Sequence, residues 1–138
     1  MADGNVAIVR RFFEGIINDG RLELADEILA PDYRDHAPLT AEVPGPEGFK
    51  RRMQLLARSF DMRIAIEDIT EQADRVAFRW TMTGRHIGEF GGIAPTGRAV
   101  TLTGLNLERL RDGRIVEHWS EYDRMGLMHQ VEDAPPAQ

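Results

Sequence analysis

Two stretches of this chain hold the groups that could move a proton. The first, Gly84 to Gly97, reads Gly-Arg-His-Ile-Gly-Glu-Phe-Gly-Gly-Ile-Ala-Pro-Thr-Gly and carries His86; the second, Glu117 to Asp123, reads Glu-His-Trp-Ser-Glu-Tyr-Asp and ends in a carboxylate. An imidazole and a carboxylate at the ends of two predicted strands, at the mouth of an apolar pocket, are what acid/base chemistry on a small molecule requires. Strand alternation puts Glu117, Trp119, Glu121 and Asp123 on one face and His118, Ser120 and Tyr122 on the other. The size of Trp119 argues that its face is the interior one, so Asp123 is expected in the same cavity, where a carboxylate can accept and return a proton. The alternative is a carboxylate paired with Arg79, Arg109 or Arg124 as structural glue.

His86 falls in phase with Val76, Phe78, Trp80 and Met82, provided Gly84 introduces no bulge, and an imidazole there could polarise a carbonyl or hold an enolate. Its alternative is a histidine hydrogen-bonded inside a rigid loop. Tyr33 is placed to cover the pocket, and His36, three residues on, to bond a carboxylate or a backbone carbonyl. Phe49, Met53, Phe60, Phe78, Trp80, Met82, Phe90 and Trp119 supply the apolar wall, while Gly88, Gly91, Gly92, Pro95 and Gly97 shape a loop over the opening. His129 is expected to be exposed.

The elements that must position these groups follow from periodicity. Val6, Val9, Phe12, Phe13, Ile16 and Ile17 form one helical stripe, with Asn5 or Asp3 as cap and Asn18-Asp-Gly20 as stop. A second helix is predicted over Leu22 to Leu29, ended by Pro31, and a third from about Pro46 to Ser59 with proline in its first turn. Asp32 to Pro38 is read as extended. Beyond Asp61 the period changes to two, giving strands through Met62 to Glu67, Val76 to Thr83, Val100 to Arg111 and Ile115 to Asp123. Gln72 to Arg75 is a turn, and Asp112-Gly113 marks a tight hairpin. Helices followed by an antiparallel meander define an α+β fold, with three helices under a curved sheet and a conical interior.

Composition narrows the function. With 138 residues, 42% of them hydrophobic, the chain suits one domain, expected over 1–131 with a flexible tail from 132 to 138. A net charge of −6 argues against a nucleic-acid partner, and the basic run Lys50-Arg51-Arg52 reads as the wet face of a helix. The absence of cysteine excludes disulfides and thiolate chemistry. No His-x-His or His-Glu-x-x-His spacing occurs, so no metal is expected. No apolar run is long enough to cross a bilayer and the start lacks a leader pattern, so no membrane association and a cytoplasmic protein are expected.

Five spaced motifs carry a resemblance: Leu29-Ala-Pro-Asp-Tyr-x-x-His36, Asp74-Arg-Val-Ala-x-Arg-Trp80, Gly84-x-His-x-Gly-Glu-Phe90, Gly92-Ile-Ala-Pro-Thr-Gly-Arg98 and Asp112-Gly-x-Ile-Val-Glu-x-Trp-x-x-x-Asp123. Together they resemble the SnoaL-like polyketide cyclases, also called ester cyclases, of the nuclear transport factor two-like superfamily. The resemblance covers nearly everything from the first helix to Gln130. It implies a cone-shaped α+β barrel, an apolar pocket, and a homodimer or homotetramer joined through the outer face of the sheet. It also implies an intramolecular aldol ring closure on a polyketide-like ligand, without metal or cofactor, using an aspartate that matches Asp123. His86 is a weaker match to a second catalytic group.

The expected chemistry is therefore proton removal next to a carbonyl by Asp123, attack of the enolate on a second carbonyl, and return of the proton, with His86 and Trp119 Nε1 holding the oxyanion. Rival readings are a small-molecule binding protein without reaction, and a hydrolase or isomerase in which an aspartate activates water. The opposite sheet face, with Arg79, Thr81, Thr83, His118, Ser120 and Tyr122, is expected to meet a partner subunit.

Overall fold

A computed structural model describes residues 4–36 and 43–132 of the chain. Asp3, residues 37–42 and the tail from 133 lie outside the described residues. Helix α1 (Asn5–Asp19) buries Val9, Phe12, Phe13 and Ile16, the stripe set by their spacing. Gly4, not Asn5, is its N-cap, and Gly20 ends it at φ 68°, a left-handed conformation that glycine adopts without steric cost. Helix α2 (Leu24–Ile28) is shorter than predicted. Leu29 already has extended dihedrals and opens strand β1 (Leu29–Asp35), which contains Pro31. Proline is tolerated there because β1 is an edge strand, where a missing N–H leaves no ladder bond unmade.

Helix α3 (Gly45–Ser59) carries proline in its first turn and buries Phe49. Its basic run is divided by the helix rotation. Lys50 bonds Asp26 and Glu47 and Arg51 is exposed, as a wet face requires, whereas Arg52 turns inward. Strands β2 (Phe60–Gln72), β3 (Arg75–His86), β4 (Ala99–Arg111) and β5 (Arg114–Tyr122) then form an antiparallel meander. Strand β1 joins it in parallel beside β5, giving the order β1-β5-β4-β3-β2. At the β2 edge, Asn18 of α1 replaces a missing strand: its Nδ2 donates to Ile64 O at 3.1 Å and its Oδ1 accepts from Ile64 N at 2.7 Å.

The β4–β5 hairpin decides which side chains reach the interior. Asp112 and Gly113, at φ 54° and 77°, make the expected two-residue turn, and Leu110 pairs with Ile115. A regular ladder would continue with Arg109 opposite Val116 and would turn Glu117, Trp119 and Glu121 inward with Leu110. Instead Arg109 pairs with Glu117 and Glu108 with His118, leaving Val116 as an extra, buried residue. One inserted residue inverts the facing of everything after it. His118, Ser120 and Tyr122 therefore point inward, and Trp119 points out. This overturns both the expected interior face of Trp119 and Asp123 and the expected partner face for His118, Ser120 and Tyr122; Arg79 remains on the exposed side.

The last strand stops at Tyr122, and a fourth helix, α4 (Arg124–Glu132), not expected from the sequence, buries Leu127 and Val131. Asp123 caps it: its Oδ1 accepts from Gly126 N at 2.9 Å, the N-cap to N3 bond that satisfies a free helix-end donor. Helices on one side of a curved, mostly antiparallel five-stranded sheet make the α+β architecture that the periodicity predicts.

Candidate active site

Between α1, α3, α4 and the concave face of the sheet lies a cavity of about 390 Å³, within the size range of small-molecule sites. Phe13, Phe49, Met53, Leu56, Met82 and Leu102 form its apolar wall. A polar strip crosses it, made by Asn106, His118, Ser120 and Tyr122 from β4 and β5 and by Arg52 from α3.

His118 and Glu108 are the buried acid/base pair. They face one another across the ladder, and His118 Nδ1 lies 2.7 and 2.8 Å from the two Glu108 oxygens, with side chains only 4% and 1% exposed. Burial pushes the Glu108 carboxyl up to about 7, opposed by the attraction and hydrogen bond of His118. With Nδ1 held by the carboxylate, Nε2 is the nitrogen left for the cavity that the ring lines. Next along the strip, Trp80 Nε1 donates to Asn106 Oδ1 at 2.9 Å. Because indole nitrogen can only donate, this bond fixes the amide orientation and leaves Nδ2 as a donor toward the cavity. Gly104 makes room for the Trp80 ring, which a Cβ at that position would strike.

Arg52 reaches the cavity from α3, ion-paired with Asp35 and with its guanidinium 5.4 Å from the Phe49 centroid. Tyr33 is buried nearby, and burial first and then the charges of Asp35 and Glu108 push its phenol well above the usual range. At the mouth, Glu89, Phe90 and Gly91 of the 87–98 loop meet Leu55 of α3 and Arg124 of α4, whose guanidinium lies 5.1 Å over the Phe90 ring.

The other sequence-predicted residues fall in three places. Phe49, Met53, Trp80 and Phe90 line the cavity. Phe78 and Tyr33 are buried in the adjoining core. His36 and Trp119 lie on the outer side, their rings stacked at 4.7 Å and 11°, with His36 Nε2 2.8 Å from Glu117 Oε2. That bond, ahead of those from Arg109, holds the Glu117 carboxyl below its usual range.

His86 is wholly buried but belongs to the base of the 87–98 loop, not to the cavity wall: its Nδ1 accepts from Thr96 N at 3.2 Å, and Phe60 packs at 5.3 Å. Its Nε2 is buried without a partner. Asp123 is exposed at the end of β5, occupied with capping α4. Among the described residues no three His, Asp or Glu side chains converge as a metal site would need.

Sequence reasoning missed Glu108, Asn106, His118, Ser120 and Arg52. A signal existed in β4, where Asn106 and Glu108 fall in phase with Val100, Leu102 and Leu110. Polar groups on an apolar face must find partners or functions.

An α+β cone whose hollow interior exposes a carboxylate-held imidazole is the scaffold of a small-molecule enzyme or binding protein. The SnoaL-like polyketide cyclase family matches residues 7–131, and the chain belongs to that family. It is 31% identical over 134 residues to an aklanonic acid methyl ester cyclase, AcmA, of Streptomyces galilaeus, covering 95% of this chain and 92% of the relative. A nogalonic acid methyl ester cyclase of Streptomyces nogalater is 30% identical over 122 residues, covering 86% and 91%. Among solved structures, IdmH of Streptomyces antibioticus superposes with TM-score 0.81 at 38% identity, covering 92% of this chain and 97% of that one. TsrD of Streptomyces laurentii gives 0.82 at 26%, covering 96% and 100%.

Proposed function

We propose that this protein closes a ring in a polyketide-like substrate by a cofactor-independent intramolecular aldol addition, with the Glu108–His118 pair as its acid/base. The observation that carries this reading is the imidazole held by a buried carboxylate on one side and open to an apolar cavity on the other. His118 Nε2 takes a proton from carbon next to a carbonyl. The resulting enolate carbon forms a bond to a second carbonyl of the same molecule, and the alkoxide recovers the proton from His118. Atoms balance, so product and substrate are isomers.

The cavity supplies proximity by folding the chain, and Asn106 Nδ2 with the Ser120 and Tyr122 hydroxyls supplies donors for the developing oxyanion. Asp123 is a poorer base on this geometry because it is exposed and committed to a helix cap. The family relationship supports the reaction class, and the described residues contain no helix long and apolar enough to cross a membrane.

Aklanonic and nogalonic acid methyl esters, named by the relatives, are the first trial substrates. Incubation is expected to give a product of unchanged mass and one fewer ketone. His118→Ala is expected to lower turnover by about 10²-fold or more, the scale of a lost general base, while Asp123→Asn leaves it within a factor of three or so by the same reasoning. Loss of activity in Asp123→Asn with His118→Ala unaffected would reverse the assignment. A ligand that binds and is recovered unaltered would favour a binding protein instead.

A further inference from the structure

Arg52 is a cation of the cavity wall, set away from Arg124 at the mouth, that the acid/base pair does not account for. It lies on α3, opposite the strip of β4 and β5, and lines the same cavity as His118. Nη1 donates to Asp35 Oδ2, and the Phe49 ring packs against the guanidinium. Asp35 of β1 and Phe49 of the same helix thus hold one guanidinium that still borders the cavity. A guanidinium is planar and keeps its charge, so held in this way it presents a pre-oriented fork rather than a mobile charge. Such a fork matches two oxygens side by side, as in the planar anion of a 1,3-dicarbonyl or a hydroxyl adjacent to a ring carbonyl.

We propose that Arg52 is a catalytic residue that binds the enolate oxygen, and that it selects substrates whose reacting carbon lies between or beside two carbonyl groups. The proposal rests on the acid/base reading of the same cavity. A second argument supports it. Imidazole is a weak base for a carbon next to a single ketone, and a fixed cation at the enolate oxygens together with a second carbonyl closes that mismatch. Asp35 is a positioning residue here, acting through Arg52.

The test uses a dye in place of substrate. Alizarin carries two adjacent phenols, one of them beside a ring carbonyl, fits the apolar chemistry of the wall, and changes colour when the other, more acidic phenol ionises; its binding is followed by quenching of tryptophan fluorescence. Bound to the wild-type chain, it is expected to ionise about one pH unit or more below its value in water, the usual effect of an adjacent opposite charge. Arg52→Gln is expected to abolish that shift, and Arg52→Lys to retain part of it. Asp35→Asn combined with Arg52→Gln removes both members of the ion pair, so a folding defect from a stranded carboxylate is separable by thermal melting. Equal ionisation in wild type and Arg52→Gln overturns the role of Arg52 and leaves the acid/base reading intact. Failure of alizarin to quench tryptophan fluorescence in a Trp119→Phe chain overturns both, since Trp80 then reports alone and the cavity is removed as a site for planar carbonyl compounds.

Discussion

At the scale of single residues, the distinctive feature is a glutamate buried to 1% exposure against a histidine. Its consequence for stability has a definite sign. In the unfolded chain Glu108 ionises near 4.5, whereas in the fold it keeps its proton to about 7. Between those values unfolding releases a proton, so this residue's contribution to stability is complete below about 4.5 and is lost as pH rises through about 7. The span of about 2.5 units corresponds to roughly 3 kcal/mol. Glu108→Gln has no such proton to lose and can still accept a hydrogen bond from His118 Nδ1. The urea midpoint of the variant relative to wild type is therefore expected to rise between pH 4.5 and pH 8. A constant difference across that range would show that Glu108 is not titrating there. Trp119, by contrast, owes its position to His36, a stacking partner outside the cavity; size alone was a poor guide to which way it faces.

At the scale of elements, α1 and α3 are legible in the sequence because their apolar residues recur every three to four positions, and β2 to β4 because theirs recur every second. The Asp-Gly hairpin is equally local. Two features are not. The extra residue at Val116 is a property of how β5 pairs with β4, and nothing in the residue itself announces it. Helix α4 has few apolar anchors, a glycine in its first turn and only Leu127 and Val131 buried, so its periodicity is faint. Asp123 was legible as an important residue, but the same side chain that resembles a proton carrier is also a good N-cap. Asp123→Ala is accordingly expected to cost about 1 kcal/mol in chemical denaturation through loss of the cap, while Asp123→Asn preserves it. Equal stability of the two variants would mean that the bond to Gly126 contributes nothing. Since α4 carries Arg124 and Leu127 against the cavity, fraying it would also loosen the mouth.

At the scale of the whole molecule, the sheet has two faces of different use. The inner face holds the cavity. The outer face carries Leu105, 59% exposed, beside Leu107 and the half-buried Trp119 across the ladder, an apolar patch suited to a second copy of the chain. Leu105→Arg is expected to leave the fold and any ring-closing activity intact while shifting sedimentation from a dimer to a monomer; a wild-type chain that sediments as a monomer would remove this expectation. The extra residue in β5 reaches beyond the present molecule. Drawing Val116 into the ladder, with every residue kept, would exchange the inward set His118, Ser120 and Tyr122 for Glu117, Trp119 and Glu121 in a single event, with the other walls unaltered. A one-residue slip of strand register is thus a route by which cones of this kind could trade one set of reactive groups for another wholesale, a change that replacing the inward residues one by one would reach only through many intermediates.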